Sequence, residues 1–397
     1  MSPRTAGATG WVCALAAAVV LASSCTGAPA PTPASTAAGA AAPAPVLWPR
    51  APGTSVDDGT AGALQERLDR WRADGDAPGA TAAVVTADGS WSGASGVDGA
   101  GLTLQPDTAG AVGSITKTFV AAEVLRLAGR GDVDLDAPVS AYVELPFDDG
   151  GATVRQVLGM QSGFPQDPVH DLLHELTDVD REWTAADVLG LVVPSTTQGT
   201  LGGATDYNNL NFWVLGLLVE EVAQEPLAAV LRSDLLDAAD LERVWFQTAE
   251  RPVPPVAVAA GEPDLPPVDG DGPYLPSRAV ASAAAAAGGM AADAPSLALW
   301  GHLLYGGHVV DAALVEQMTA AEGPEDWYGL GTEVGRDEGQ PVVGHGGDIG
   351  VSHALLRVWP ASGTAVAVLV PAAAPTTLDT SRTVQGLVSA LHEVTLP

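Results

Sequence analysis

From Ala63 to Ala73 apolar residues return at helical spacing, with Leu64, Leu68 and Trp71 on one face and Glu66, Arg67 and Arg70 elsewhere. The pattern predicts an amphipathic helix. A β-rich run, Thr81 to Ala87, is followed by Asp88-Gly89 and the stretch around Trp91, which together read as a hairpin. Residues 114 to 129 read as a helix stopped at Gly129, burying Ile115, Phe119, Ala122, Leu125 and Ala128. Another helix is expected at 153 to 161, entered through Thr153. Helical patterns then dominate 166 to 240, at 183 to 191, 210 to 224 and 227 to 238, with Pro226 separating the last two.

Prolines, aspartates and glycines crowd 251 to 277, which reads as a loop, and a helix resumes at 293 to 305 with Pro295 in its first turn. The chain closes on Val351 to Trp359, a Pro-Ala-Ser-Gly turn at 360 to 363, Thr364 to Val370, and a helix over roughly 377 to 392. Two apolar strands joined by a tight turn belong in an antiparallel sheet with one face packed against helices. The expected fold is therefore α/β of the α+β type: a sheet domain built from both ends of the chain, flanked by helices, with a mainly helical subdomain inserted at about 135–300.

The first 46 residues have another character. Arg4, an apolar run from Trp11 to Leu21, and Ala22-Ser23-Ser24 before Cys25 describe an export signal, too short for a stable membrane span. Small residues directly before a cysteine resemble a lipoprotein signal at 1–25, with Cys25 as the lipidated first residue; plain secretion is the alternative, because Ala22 stands where Leu is usual. Residues 26–46, nearly all Ala, Pro, Thr, Ser and Gly, then form a flexible spacer, and the folded domain occupies 47–397. Removal of the signal would leave Cys25 as the sole cysteine, so no intrachain disulfide is expected.

Charge narrows the partners. Seventeen Lys plus Arg against 48 Asp plus Glu give a formal charge of -31, which argues against nucleic acid. Sixteen of the seventeen basic residues are arginine; the one lysine is Lys117. An amine can be tuned to neutrality and a guanidinium cannot, so the position where lysine persists is a candidate for proton transfer.

Ser114 lies three residues before Lys117, one helical turn away, where a neutral amine can take its hydroxyl proton. Tyr207 and Asn209 sit just before the 210–224 helix. A phenol near a cationic amine can be partly phenolate and act as base, then acid; Asn209 can hold a substrate amide or orient Lys117. The same residues would also serve as an ordinary helix cap. Gly344-His345-Gly346-Gly347-Asp348 enters the strand expected from Val351; its glycines leave room for a ligand beside an edge strand, and a free amide there would complete an oxyanion hole with that of Ser114. His345 would add positive charge or a hydrogen bond, unless it merely occupies a turn. His170 and His174, four apart, lack a third ligand and read as surface or packing residues; no metal and no organic cofactor is expected.

In order, these segments resemble the penicillin-recognising serine hydrolases, the branch of class C β-lactamases, D-alanyl-D-alanine carboxypeptidases and related esterases. Ser114 and Lys117 match a Ser-x-x-Lys, Tyr207 and Asn209 a Tyr-x-Asn, and His345 and Gly347 a His-x-Gly. Leu158 to Pro165, Gly288-Gly289-Met290 and Tyr328 to Gly331 also resemble recurring elements of that family, and the likeness spans roughly 60 to 392. It implies a β-lactamase/transpeptidase-like fold. It further implies Ser114 as nucleophile, Lys117 as its activator, Tyr207 as general base and acid, Asn209 as a substrate contact, and the amides of Ser114 and Asp348 as oxyanion hole. Gly346 stands where many members carry a hydroxyl, and His345 where class C β-lactamases have lysine. The expected partner is a small-molecule or peptide acyl substrate, such as a cell-wall peptide, met by a monomer whose only membrane contact is the lipid on Cys25. A penicillin-binding-like receptor with little turnover, or an envelope scaffold, are the rival readings.

Overall fold

Strands with no polar alternation must be covered on both faces, and this governs the centre of the molecule. The computed structural model describes residues 48, 53–75, 77–169, 172, 176, 178–193, 199–259, 273–321, 327–371 and 380–396, all within the unit Pro45–Pro397. The expected signal, spacer, His170 and His174 lie outside the described residues. Strands β1 (Gly79–Val85) and β9 (Thr364–Val370) are buried along their whole length. They form the middle of a six-stranded antiparallel sheet with β2 (Ser90–Gly96), β6 (Glu333–Asp337), β7 (Gln340–Ile349) and β8 (Ser352–Trp359), in the order β2-β1-β9-β8-β7-β6.

Register sorts the side chains between the two faces. Val84 pairs with Val366 and Ala82 with Val368, and this set packs on Leu64 and Leu68 of α1 (Asp58–Gly75) and on Leu387, Val388 and Leu391 of α10 (Thr380–Val394). The alternate set, Ala83 opposite Ala367 and Val85 opposite Ala365, faces α8 (Ala294–Tyr305) with Leu297, Trp300 and Leu304. The expectation of one covered face is thus corrected. Small residues make the second cover possible: a Cβ on Gly301 would lie 2.8 Å from Leu356 Cδ1, so α8 lies close against the sheet.

The second layer gathers around α2 (Thr116–Arg130), whose first ten residues are all buried. A helix buried all round signals a central position, and here it carries Lys117 and Glu123 into the core. Around it lie α5 (Leu210–Ala223), α7 (Arg278–Gly288) and the shorter α3 (Val154–Leu158) and α6 (Leu227–Leu231), with α4 (Ala185–Leu189) and α9 (Ala312–Met318) farther along the chain. A small sheet, β3 (Gly110–Ala111), β5 (Met290–Ala292) and β4 (Val244–Phe246), joins the nucleophile segment to the end of α7.

Local chemistry explains where the boundaries move. Thr153 and Gln156 form a capping box, as the start of that helix required, but Met160 adopts φ 57° and the helix ends at Leu158. The helix expected to stop at Gly129 runs through it to Arg130 and closes on Gly131 at φ 82°. Residues 232–236 leave the α-helix of α6 as a π-turn. The glycine-histidine segment belongs to β7 and precedes the turn into β8, rather than leading into the strand from Val351. Helix α7 and the three short strands had no sequence expectation.

Candidate active site

Gly113 opens the nucleophile turn. Its φ of 50° and a Cβ position only 3.0 Å from Asp348 N leave no room for a side chain, so glycine lets the chain enter a 3₁₀ turn (Gly113–Ile115) tight against β7. Gly347 answers from the strand: its Cβ would sit 1.9 Å from Val112 O. Ser114 is in this turn, followed directly by α2, so its amide is among the first of a helical segment and has no partner from within it.

Lys117 is fully buried, and its Nζ lies 2.9 Å from Ser114 Oγ, 2.7 Å from Asn209 Oδ1 and 2.6 Å from Ala287 O. Three acceptors match the three hydrogens of an ammonium. Burial nevertheless pulls its pKa down to about 7, against the attraction of Asp167 and Glu333. The amine therefore exchanges its proton in the neutral range while touching the serine hydroxyl. The ring of Tyr207 lies beneath it, 4.9 Å from Nζ to the centroid.

Asn209 is oriented by a residue without a motif. Asp167 Oδ2 accepts from Asn209 Nδ2 at 2.7 Å and from its backbone N–H at 3.2 Å, and Oδ1 accepts from Val169 N at 2.7 Å. An ionised carboxylate only accepts, so the amide nitrogen must face Asp167 and the oxygen must face Lys117. Of the two expectations for Asn209, the orientation of Lys117 is met directly.

Tyr207 is hydrogen-bonded to Ser114, which draws its pKa down, but burial dominates and the nearby carboxylates Glu333, Asp167 and Asp348 add to it, so the phenol is held above its ordinary value. Burial therefore works against the expected partial phenolate and favours the protonated phenol. Of the two expectations for His345, the hydrogen bond is the one the structure favours. Burial takes its pKa to about 4, with Glu333 opposing. Its Nδ1 is 2.5 Å from Gly346 O, a group that can only accept, so the proton sits there and Nε2 accepts from the Tyr328 hydroxyl at 2.9 Å. The imidazole is neutral and supplies hydrogen bonds, not positive charge.

Strand β7 changes role along its length. β6 pairs it only as far as Gly344, so Gly346 N turns instead to Glu333 Oε1 at 3.1 Å. Amides alternate sides along a strand, which puts Asp348 N on the same unpaired edge, beside Gly113. Glu333 is held by Arg357 at 2.7 Å; burial raises its carboxyl, yet His345, Arg357 and the Gly346 amide keep it below its usual value. A cavity of about 490 Å³ is lined by Ser114, Tyr207, Asn209, His345, Gly346 and Asp348 among others, with Glu333 and Trp327 on its wall. The structure thus brings together all seven residues singled out in the sequence, Gly347 as the contact behind Ser114. Sequence reading missed Asp167, Trp327 and Glu333, and named Tyr328 only within the stretch Tyr328 to Gly331, without a role. Among the described residues no cluster of metal-ligating side chains occurs.

Comparison with known proteins agrees with this geometry. The family described as Beta-lactamase matches residues 61–389. A D-stereospecific amidohydrolase from Streptomyces sp. superposes with a TM-score of 0.67 at 26% identity, covering 82% of this chain and 98% of its own. D-amino acid amidase from Ochrobactrum anthropi SV3 gives 0.73 at 22% identity, covering 85% and 99%, a likeness of fold. Esterase EstB of Burkholderia gladioli is 30% identical over 166 residues, 38% of this chain and 42% of EstB. Protein flp of Staphylococcus aureus (strain MW2) is 24% identical over 151 residues, 37% of this chain and 30% of flp, so the chain spans less than half of these two relatives. Because the matched range contains the nucleophile turn, the Asn209 segment and β7 alike, the chain belongs to the beta-lactamase family and shares its serine-hydrolase fold.

Proposed function

We propose that the protein hydrolyses an ester, amide or β-lactam carbonyl outside the cytoplasm, by way of an acyl-enzyme on Ser114. The observation that carries this reading is the buried Lys117 amine, 2.9 Å from Ser114 Oγ and titrating near 7. In its neutral form Lys117 accepts the Ser114 proton as Oγ bonds to the carbonyl carbon. The amides of Ser114 and Asp348 hold the oxyanion. Tyr207, kept protonated by burial, gives its proton to the leaving group as the carbonyl–leaving-group bond breaks, and the Lys117 ammonium restores it. Water then attacks the acyl carbon, its proton passing to Lys117 and from there to Ser114 Oγ as the acid departs.

The test incubates residues 47–397 with a short-chain nitrophenyl ester, a chromogenic cephalosporin and a D-Ala-D-Ala peptide, following intact mass. A transient adduct with product release, absent from Ser114→Ala, is expected; an adduct that never releases product would instead mark a receptor. No adduct from any of the three would sink the acyl-enzyme. Export rests on residues 1–25, and no described helix is long and apolar enough to cross a membrane. If Cys25 carries a lipid, Cys25→Ala moves the protein from the membrane fraction to the medium; unchanged fractionation removes the anchor.

A further inference from the structure

One wall of the cavity is aromatic. Trp327, 44% exposed, lies with its ring 6.0 Å from that of Tyr207 at 19°, and Tyr328 meets both rings edge-on at 5.4 and 5.8 Å. Nearly half of the indole is open to the cavity, where its ring can meet a ligand.

Among the described residues, the charged side chains that line that wall are carboxylates. Asp348 stands at the rim with its side chain 73% exposed, paired with His353, and Glu333 lies deeper. Asp167 is behind Asn209. No arginine or lysine is among the described lining residues. Arg357 is engaged by Glu333, Lys117 is enclosed by its three acceptors, and His345 is a neutral ring fixed by Tyr328 and Gly346. Among the described lining residues a carboxylate would meet no arginine or lysine, and no hydroxyl at position 346. A cation would meet aromatic faces and carboxylates, and a formal charge of -31 draws it in from a distance.

We infer that the site takes acyl donors bearing a cationic amine close to the scissile carbonyl and rejects those bearing a carboxylate there. This rests on the acyl-enzyme reading above and narrows its substrate class. Aromatic faces hold an alkylammonium through the ring quadrupole, and carboxylates within one Debye length hold it by Coulomb attraction.

Three p-nitrophenyl esters of matched length separate charge from shape: 4-(trimethylammonio)butyrate, its neutral isostere 5,5-dimethylhexanoate, and the glutarate monoester. After correction for spontaneous hydrolysis, kcat/KM should fall in that order, with the cation about tenfold or more above the anion. Added salt should narrow the gap. Trp327→Ala should lower the cation-to-neutral ratio by about fivefold. A glutarate rate equal to or above that of the cation, or a ratio untouched by Trp327→Ala, overturns the inference while leaving the acyl-enzyme intact. Absence of both product and Ser114 adduct with all three esters overturns the acyl-enzyme reading and the inference with it.

Discussion

Helix α2 carries two buried ionisable groups, and both titrate near 7. Lys117, in its first turn, is brought down by burial; Glu123, six residues on, is brought up by burial and by Asp234, with Arg126 and Arg130 opposing. Their surroundings differ in kind. Lys117 touches a hydroxyl, an amide oxygen and a carbonyl, next to a cavity. Glu123 faces guanidinium groups, Arg126 at 3.3 Å and Arg130 at 3.8 Å, and is not among the described residues that line the Ser114 cavity. A perturbed pKa thus marks a reactive site only where a nucleophile and space for a substrate accompany it.

The sharpest way to break the contrast is Lys117→Met, which removes the amine without burying a permanent charge, as arginine would. Acylation should fall by roughly 10⁴-fold with an unchanged circular-dichroism spectrum; burst-phase kinetics measure it, and a loss below tenfold would end the proton-transfer role. Tyr207→Phe should cost roughly 10²-fold in kcat, more for a poor leaving group than for nitrophenolate, because only the former needs the proton. In the parent, kcat/KM should rise with pH through about 7, since the amine must be neutral. Asp167→Asn keeps an acceptor for Asn209 but removes a charge that raises the Lys117 pKa, so this limb should move about one pH unit lower. A limb that stays in place means Asp167 acts only by holding Asn209 through hydrogen bonds.

At the middle of the helix the expected effect on turnover is least. Glu123→Gln lies about 9 Å along the axis from Lys117 and should leave kcat/KM within about twofold. Its signature is in stability. A carboxyl with a folded pKa above its unfolded value keeps a proton in the native state that the unfolded chain gives up, so stability falls as pH rises from about 4.5 to 7, and levels off above. A shift from 4.5 to about 7 corresponds to a fall of about 3 kcal/mol, which Glu123→Gln should abolish in urea melts across this range.

What the sequence disclosed follows the same division. Ser114, Lys117, Tyr207, Asn209 and His345 were legible because the chemistry fixes their spacing and one lysine removes the background. Asp167, Glu333, Trp327 and Tyr328 come from irregular segments or strand ends, where a long-range contact leaves no period. The central strands and α1 announced themselves by apolar pattern. Helix α7 did not: its alanines are buried on nearly every side, so no amphipathic face betrays it, and β3, β4 and β5 are two or three residues long. Neighbouring charge at Tyr207 and His345 was legible in the sequence, but the burial that outweighs it at both belongs to the fold.

Two adjacent glycines on β7 have opposite latitude. At 347 any β-carbon collides with Val112 O, so that position is closed to the other nineteen residues. At 346 a β-carbon would find nothing nearer than Glu333 Oε1 at 3.6 Å, and the position borders the cavity. Serine therefore fits where the strand now presents only hydrogen, and one base change in a glycine codon can supply it. The scaffold thus closes the position behind its attacking turn to any side chain while the next position along the strand, beside the cavity, stays sterically open.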